Sequence, residues 1–122
     1  MGGEPSYERL SAQDASFIQF ENAGSPAHIT AVAVFDSGGR IAESSGALDM
    51  DLVRAHVASR LHLLPHYRQR LARMPLQGHA IWVDDQAFDV ACHVRHAGLP
   101  SPGDDAQLKE LAGRIASQPL DR

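Results

Sequence analysis

The chain has 122 residues, 43% of them apolar, a single cysteine, and 11 basic against 15 acidic side chains for a formal charge of −4. These figures fit one ordinary globular domain or a piece of one, and argue against whole-chain disorder, an internal disulfide framework and a dedicated nucleic-acid binder. No apolar run approaches the roughly 20 residues that span a bilayer, and Met1-Gly2-Gly3-Glu4-Pro5 lacks the basic and then apolar pattern of a signal peptide. A soluble, reducing compartment is the expectation.

Ser11-Ala12-Gln13-Asp14 reads as a helix start. Ser11 can cap, and Asp14, three residues on, can reach back and suits the positive end of a helix. Phe17, Ile18 and Phe20 supply apolar contacts for a short helix ending near Glu21, and Asn22-Ala23-Gly24-Ser25-Pro26 is turn chemistry. His28 to Phe35 (HITAVAVF) is short, rich in β-branched residues and almost wholly apolar. That predicts a strand buried on both faces, in a sheet covered by helices. The Gly- and Ser-rich stretch 36–48 predicts a flexible loop.

Asp49 can cap the next helix, with Asp51 in its first turn. Met50, Val53, Val57, Leu61 and Leu64 form the clearest helical stripe in the chain, predicting a helix over 50–64 that Pro65 ends. Tyr67 to Leu71 (YRQRL) alternates and predicts a strand with its arginines on one face. Pro75 and Gly78 break the chain before a second strand, Ala80 to Val83, and a turn at Asp84-Asp85. Phe88 to Val94 (FDVACHV) places Phe88, Val90, Cys92 and Val94 on one face, predicting a third strand with Cys92 as an inert core thiol. Gly98 to Gly103 is a Pro/Gly loop. Asp104 or Asp105 caps a last helix through Leu108, Leu111 and Ile115, and Pro119-Leu120-Asp121-Arg122 leaves it extended. The mixture predicts an α/β or α+β architecture. An ending at Arg122 with neither a polar tail nor a clean cap reads as a boundary inside a larger unit.

Charge is unevenly distributed. Residues 52–83 carry Arg54, Arg60, Arg68, Arg70 and Arg73 with no acid, whereas the segments on either side are net acidic. This is either a solvated face with intrachain partners or an anion-facing surface. Cys92-His93-Val94-Arg95-His96 lacks the second ligand pair of a structural zinc site, so no metal is expected. There is no Gly-x-Ser-x-Gly elbow and no glycine-rich phosphate loop.

Four stretches resemble one family. Leu10 to Phe17 resembles the LSxxDxxF that opens the bacterial wax ester synthase/diacylglycerol acyltransferases, and Ser25-Pro26-Ala27-His28-Ile29 resembles their (S/A)PMH(V/I). Leu64 to Leu71 resembles LPxFRxRL, with Trp82-Val83-Asp84-Asp85 and Phe88-Asp89 following. His93-Val94-Arg95-His96, Leu99 to Gly103 and Pro119-Leu120-Asp121-Arg122 resemble HVRxxxLPxPG and PLDRxRPLW.

The resemblance implies a chloramphenicol acetyltransferase-like fold of two α/β lobes, with residues 1–122 the amino-terminal part of the first lobe. It implies esterification of diacylglycerol or a long-chain alcohol by acyl-CoA, with acyl-CoA as substrate and no permanently bound cofactor. The family's catalytic HHxxxDG is absent here and is expected after Arg122. The partner implied is therefore the remainder of the same enzyme, in the same chain or a separate one. Asp14, Phe17 and His28 are the expected support or tunnel residues, and Arg68, Arg70 and Arg73 the expected anionic-lipid surface. The location implied is cytoplasmic and peripheral to membrane or lipid droplets. The alternatives are a non-catalytic scaffold of the same fold and a carrier-dependent, condensation-like relative.

Overall fold

The computed structural model describes residues 7–22, 24–36, 41 and 47–120. In chain order the elements are β1 (Tyr7–Arg9), α1 (Ala12–Phe20), α2 (Met50–Ala58), two short 3₁₀ turns (Leu61–Leu63 and Pro65–Arg68), β2 (Gln69–Arg73), β3 (Ala80–Asp84), α3 (Val90–His93) and α4 (Asp105–Ala116). The described residues are α+β, with one small sheet among them. Most of the loop expected over 36–48, and Asp121-Arg122, lie outside the described residues. The described residues fall into two units, one drawn from 1–32, 70–84 and 98–122 and the other from 33–69 and 85–97.

In the first unit β3 is the central strand of the order β1-β3-β2. β1 runs antiparallel to it, with Tyr7 opposite Val83, Glu8 opposite Trp82 and Arg9 opposite Ile81. The connection from β2 to β3 is too short for a crossover, so these neighbours form a hairpin. Met74 N–H donates to His79 O across its mouth at 2.9 Å. Gly78 sits at φ +67, and Leu76, fully exposed, is also left-handed at φ +71. Ile81, on the central strand, is 8% exposed and is the one buried apolar side chain among the described residues.

Both helices of this unit start where their caps predict. Ser11 Oγ accepts from Asp14 N–H at 3.1 Å and donates to the Asp14 carboxylate at 2.6 Å. The carboxylate therefore closes on the hydroxyl of the cap. Asp104 accepts from Gln107 N–H at 2.9 Å while the Gln107 side chain returns to Asp104 N–H at 3.0 Å, a complete capping box. Between α1 and residue 26, Asn22 and Ser25 bridge one another, and Gly24 N–H donates to Asn22 Oδ1 at 3.0 Å.

In the second unit Asp49 caps α2 through Leu52 N–H at 2.9 Å. The helix stops at Ala58, not at Leu64 as the stripe predicts. Pro65 supplies no N–H and bars a helical residue before it; Leu64 sits at φ −133, ψ 72, and the chain passes it in 3₁₀ turns. Val53, Val57 and Leu61 are half-buried, and Leu64 is exposed. Tyr67 and Arg68 belong to the second 3₁₀ turn, so the strand begins two residues later than expected and Arg68 is not on it.

Two predicted strands are corrected. Residues 26–36 carry neither helix nor strand, and Ile29 (99% exposed), Val34 and Phe35 lie open to solvent. A doubly buried strand requires ladder neighbours and covering layers; among the described residues no strand pairs with this segment, and residues 29–36 are exposed. Residues 88–94 are not a strand either, because Asp89 accepts from Ala91 N–H at 2.9 Å and starts the single turn of α3. The local cap overrides the alternation of Phe88, Val90, Cys92 and Val94. Cys92 is consequently an exposed free thiol and not a core one. In the native chain it should react with Ellman's reagent within about tenfold of its rate in the unfolded chain. Strong protection would restore the buried strand.

Candidate functional site

The first unit contains an open cleft of ≈ 640 Å³. One face of α1 reaches it through Ala15, Ile18 and Gln19, the i, i+3, i+4 positions that a helix stacks together. β2 contributes Leu71 to Arg73, and the hairpin turn contributes Gly78 and His79. Pro119 and Leu120, beyond the end of α4, form another wall. The floor is apolar, and Glu21, Arg73 and His79 supply titratable groups around it. Among the described residues the lining contains no serine, cysteine or aspartate to serve as nucleophile or carboxylate pair. An apolar floor with a few polar groups around it is the general character of small-molecule clefts.

His28 sits beside this arrangement. Its ring is half-buried, and Nε2–H donates to the carbonyl of Ala116, the last residue of α4, at 2.9 Å. Its Nδ1 is buried and has no hydrogen-bond partner among the described residues. Asp14 is exposed at the start of α1 and is occupied by the Ser11 cap; Phe17 is 51% exposed. Neither is among the residues that line the cleft.

The three arginines expected to form one surface are not on one strand face. Arg70 and Arg73 are exposed on β2, at positions of opposite parity. Arg68 belongs to the second unit, where its guanidinium carbon stands 5.5 Å from the centroid of the Phe88 ring. Phe88 stacks on His93 at 5.0 Å with 13° between the planes. In the same unit Arg54 Nε donates to Val94 O at 3.2 Å, joining α2 to the end of α3, and Arg60 donates to His56 Nδ1 at 3.1 Å. Part of the basic stretch thus serves carbonyl, imidazole and aromatic partners within the chain. Among the described residues no three His, Cys, Asp or Glu side chains gather into a metal-holding group.

The cleft was missed in the sequence. The spacing of Ala15, Ile18 and Gln19 was the available signal, but Phe17 and Phe20 dominate that segment by size. Nothing in Leu71-Ala72 or Pro119-Leu120 marks them as walls of one cavity.

Comparison with known proteins places these elements in context. The model of the wax ester synthase/diacylglycerol acyltransferase catalytic domain matches residues 10–122. A probable diacylglycerol O-acyltransferase of Mycobacterium tuberculosis is 38% identical over 115 residues, covering 93% of this chain and 40% of that protein. Two putative diacylglycerol O-acyltransferases of the same organism are each 32% identical. One match covers 98% of this chain and 23% of the relative, the other 93% and 24%. The chain therefore spans between about a quarter and two-fifths of these relatives. No solved structure matches it.

Proposed function

The chain belongs to the wax ester synthase/diacylglycerol acyltransferase family, and we propose that it is the amino-terminal segment of an enzyme that esterifies diacylglycerol or a long-chain alcohol with acyl-CoA. The observation that carries this reading is the family match over residues 10–122. The location of the cleft supports it, because α1, β2 and Pro119-Leu120 come from three of the motif-bearing stretches.

In the reaction proposed, the alcohol oxygen attacks the thioester carbonyl carbon, the C–S bond breaks, and the ester and CoA thiol leave. A base must accept the hydroxyl proton, and a proton must reach the sulfur. The family's HHxxxDG, whose second His is that base, does not occur in this sequence. This segment's share of the work is accordingly binding and support, as part of the first lobe of a chloramphenicol acetyltransferase-like fold. The segment acts with a remainder that carries the motif and is inactive without it.

The whole protein, given acyl-CoA and either diacylglycerol or hexadecanol, should form triacylglycerol or wax ester, and the 122-residue chain should form neither. Ester formation by the short chain would contradict the division of labour. Absence of ester from an intact whole protein would favour a scaffold.

Contact with lipid is proposed to be peripheral. No helix among the described residues is long and apolar enough to cross a membrane. Arg70 and Arg73 are exposed and suit anionic headgroups. Each juxtaposed arginine is worth about 1 kcal/mol at such a surface, or roughly fivefold in binding. Arg70→Glu and Arg73→Glu should each weaken binding of the whole protein to phosphatidylserine vesicles by at least about that factor at low salt, with the difference fading as salt screens it. Unchanged binding would remove β2 from the docking surface.

A further inference from the structure

Resting on the reading above, we propose that His28 is a positioning residue: its Nε2–H latches the carboxyl end of α4 and thereby sets the Pro119-Leu120 wall of the cleft. The last carbonyls of a helix have no intrahelical donor. At the end of α4, Ser117 N–H closes on Gly113 O and Gln118 N–H on Ile115 O. The Ala116 carbonyl is taken by a side chain 88 residues away in sequence, at 2.9 Å. Pro119 follows three residues later with its φ fixed by the ring, so the direction set at Ala116 carries into Pro119 and Leu120, both of which line the cleft.

The same geometry places a hydrogen on Nε2. A carbonyl oxygen only accepts, so Nε2 carries the hydrogen, and in the neutral ring Nδ1 is the bare acceptor. Nδ1 is buried and has no partner among the described residues. The latch therefore rests on one bond from one nitrogen. A glutamine presents an amide N–H close to the position of Nε2, whereas an asparagine reaches only the position of Nδ1. If the latch is the whole role, glutamine replaces histidine and asparagine does not.

His28→Gln, His28→Asn and His28→Ala in the whole protein, assayed with acyl-CoA and diacylglycerol, separate these roles. Melting temperatures are recorded alongside. His28→Gln should keep kcat and KM within about twofold of wild type. His28→Asn should lose about tenfold in kcat at a melting temperature matching that of His28→Gln, the loss that a misplaced wall produces. His28→Ala should lose at least as much.

Heteronuclear NMR of the imidazole nitrogens in the whole protein gives a second reading that is independent of activity. His28 should carry a hydrogen at Nε2. Rescue by asparagine and not glutamine would assign the role to Nδ1 and overturn the latch. So would wild-type kcat in all three variants, or a hydrogen found on Nδ1 with Nε2 bare. A wild-type protein that makes no ester would fail the acyltransferase reading instead, with the tautomer still deciding the latch.

Discussion

Burial at Ile81 is the interaction on which the first unit depends. The residue lies on the central strand, opposite Arg9 across the β1–β3 pairing, and is the one buried apolar side chain among the described residues. Fully burying such a side chain is worth about 1.5–3 kcal/mol, whereas fixing each residue's backbone costs about 1–2 kcal/mol. One such side chain cannot hold three strands and two helices. Meanwhile Ile29, Val32, Val34 and Phe35 stand open in succession, and Phe20, Leu64 and Ile115 are exposed on or beside helices. The apolar pattern was written for more covering surface than the described residues supply.

What was legible in the sequence was local. Ser11, Asp49 and Asp104 each cap a helix where a short polar side chain precedes an apolar periodicity, because the bond closes within three residues and needs no tertiary partner. Ala80 to Val83 reads as a strand and is one, since it lies between two neighbours in the sheet. The segment 28–35 is likewise apolar but pairs with no strand among the described residues, and strand propensity without a ladder yields no strand. At 88–94 a competing local signal, the Asp89 cap, outweighs the alternation. β1 escaped notice because Tyr7-Glu8-Arg9 has no pattern of its own and is a strand only through its pairing with β3.

The candidate site shows the same division. His28 could be singled out from the SPAHI stretch by resemblance, but its bond to Ala116 joins positions 88 residues apart and no spacing rule reveals it. Asp14 was singled out by its place three residues after Ser11, and its carboxylate accepts from the hydroxyl of that cap. The basic stretch is uniform in sequence, yet the fold gives Arg54 to a carbonyl and Arg68 to an aromatic ring and leaves Arg70 and Arg73 exposed. Local chemistry decides where elements begin; pairing decides which of them persist and which side chains meet.

The central claim is that the apolar surface of this chain requires a covering partner. A urea titration of the monomeric 122-residue chain, followed by far-UV circular dichroism with a hydrophobic dye present, tests it most directly. The expected result is dye binding without urea and a gradual, non-cooperative loss of helix signal. A single sharp transition with an m-value of about 1 kcal/mol/M or more, and no dye bound to the native chain, would show that the segment closes its own core and contradict the claim.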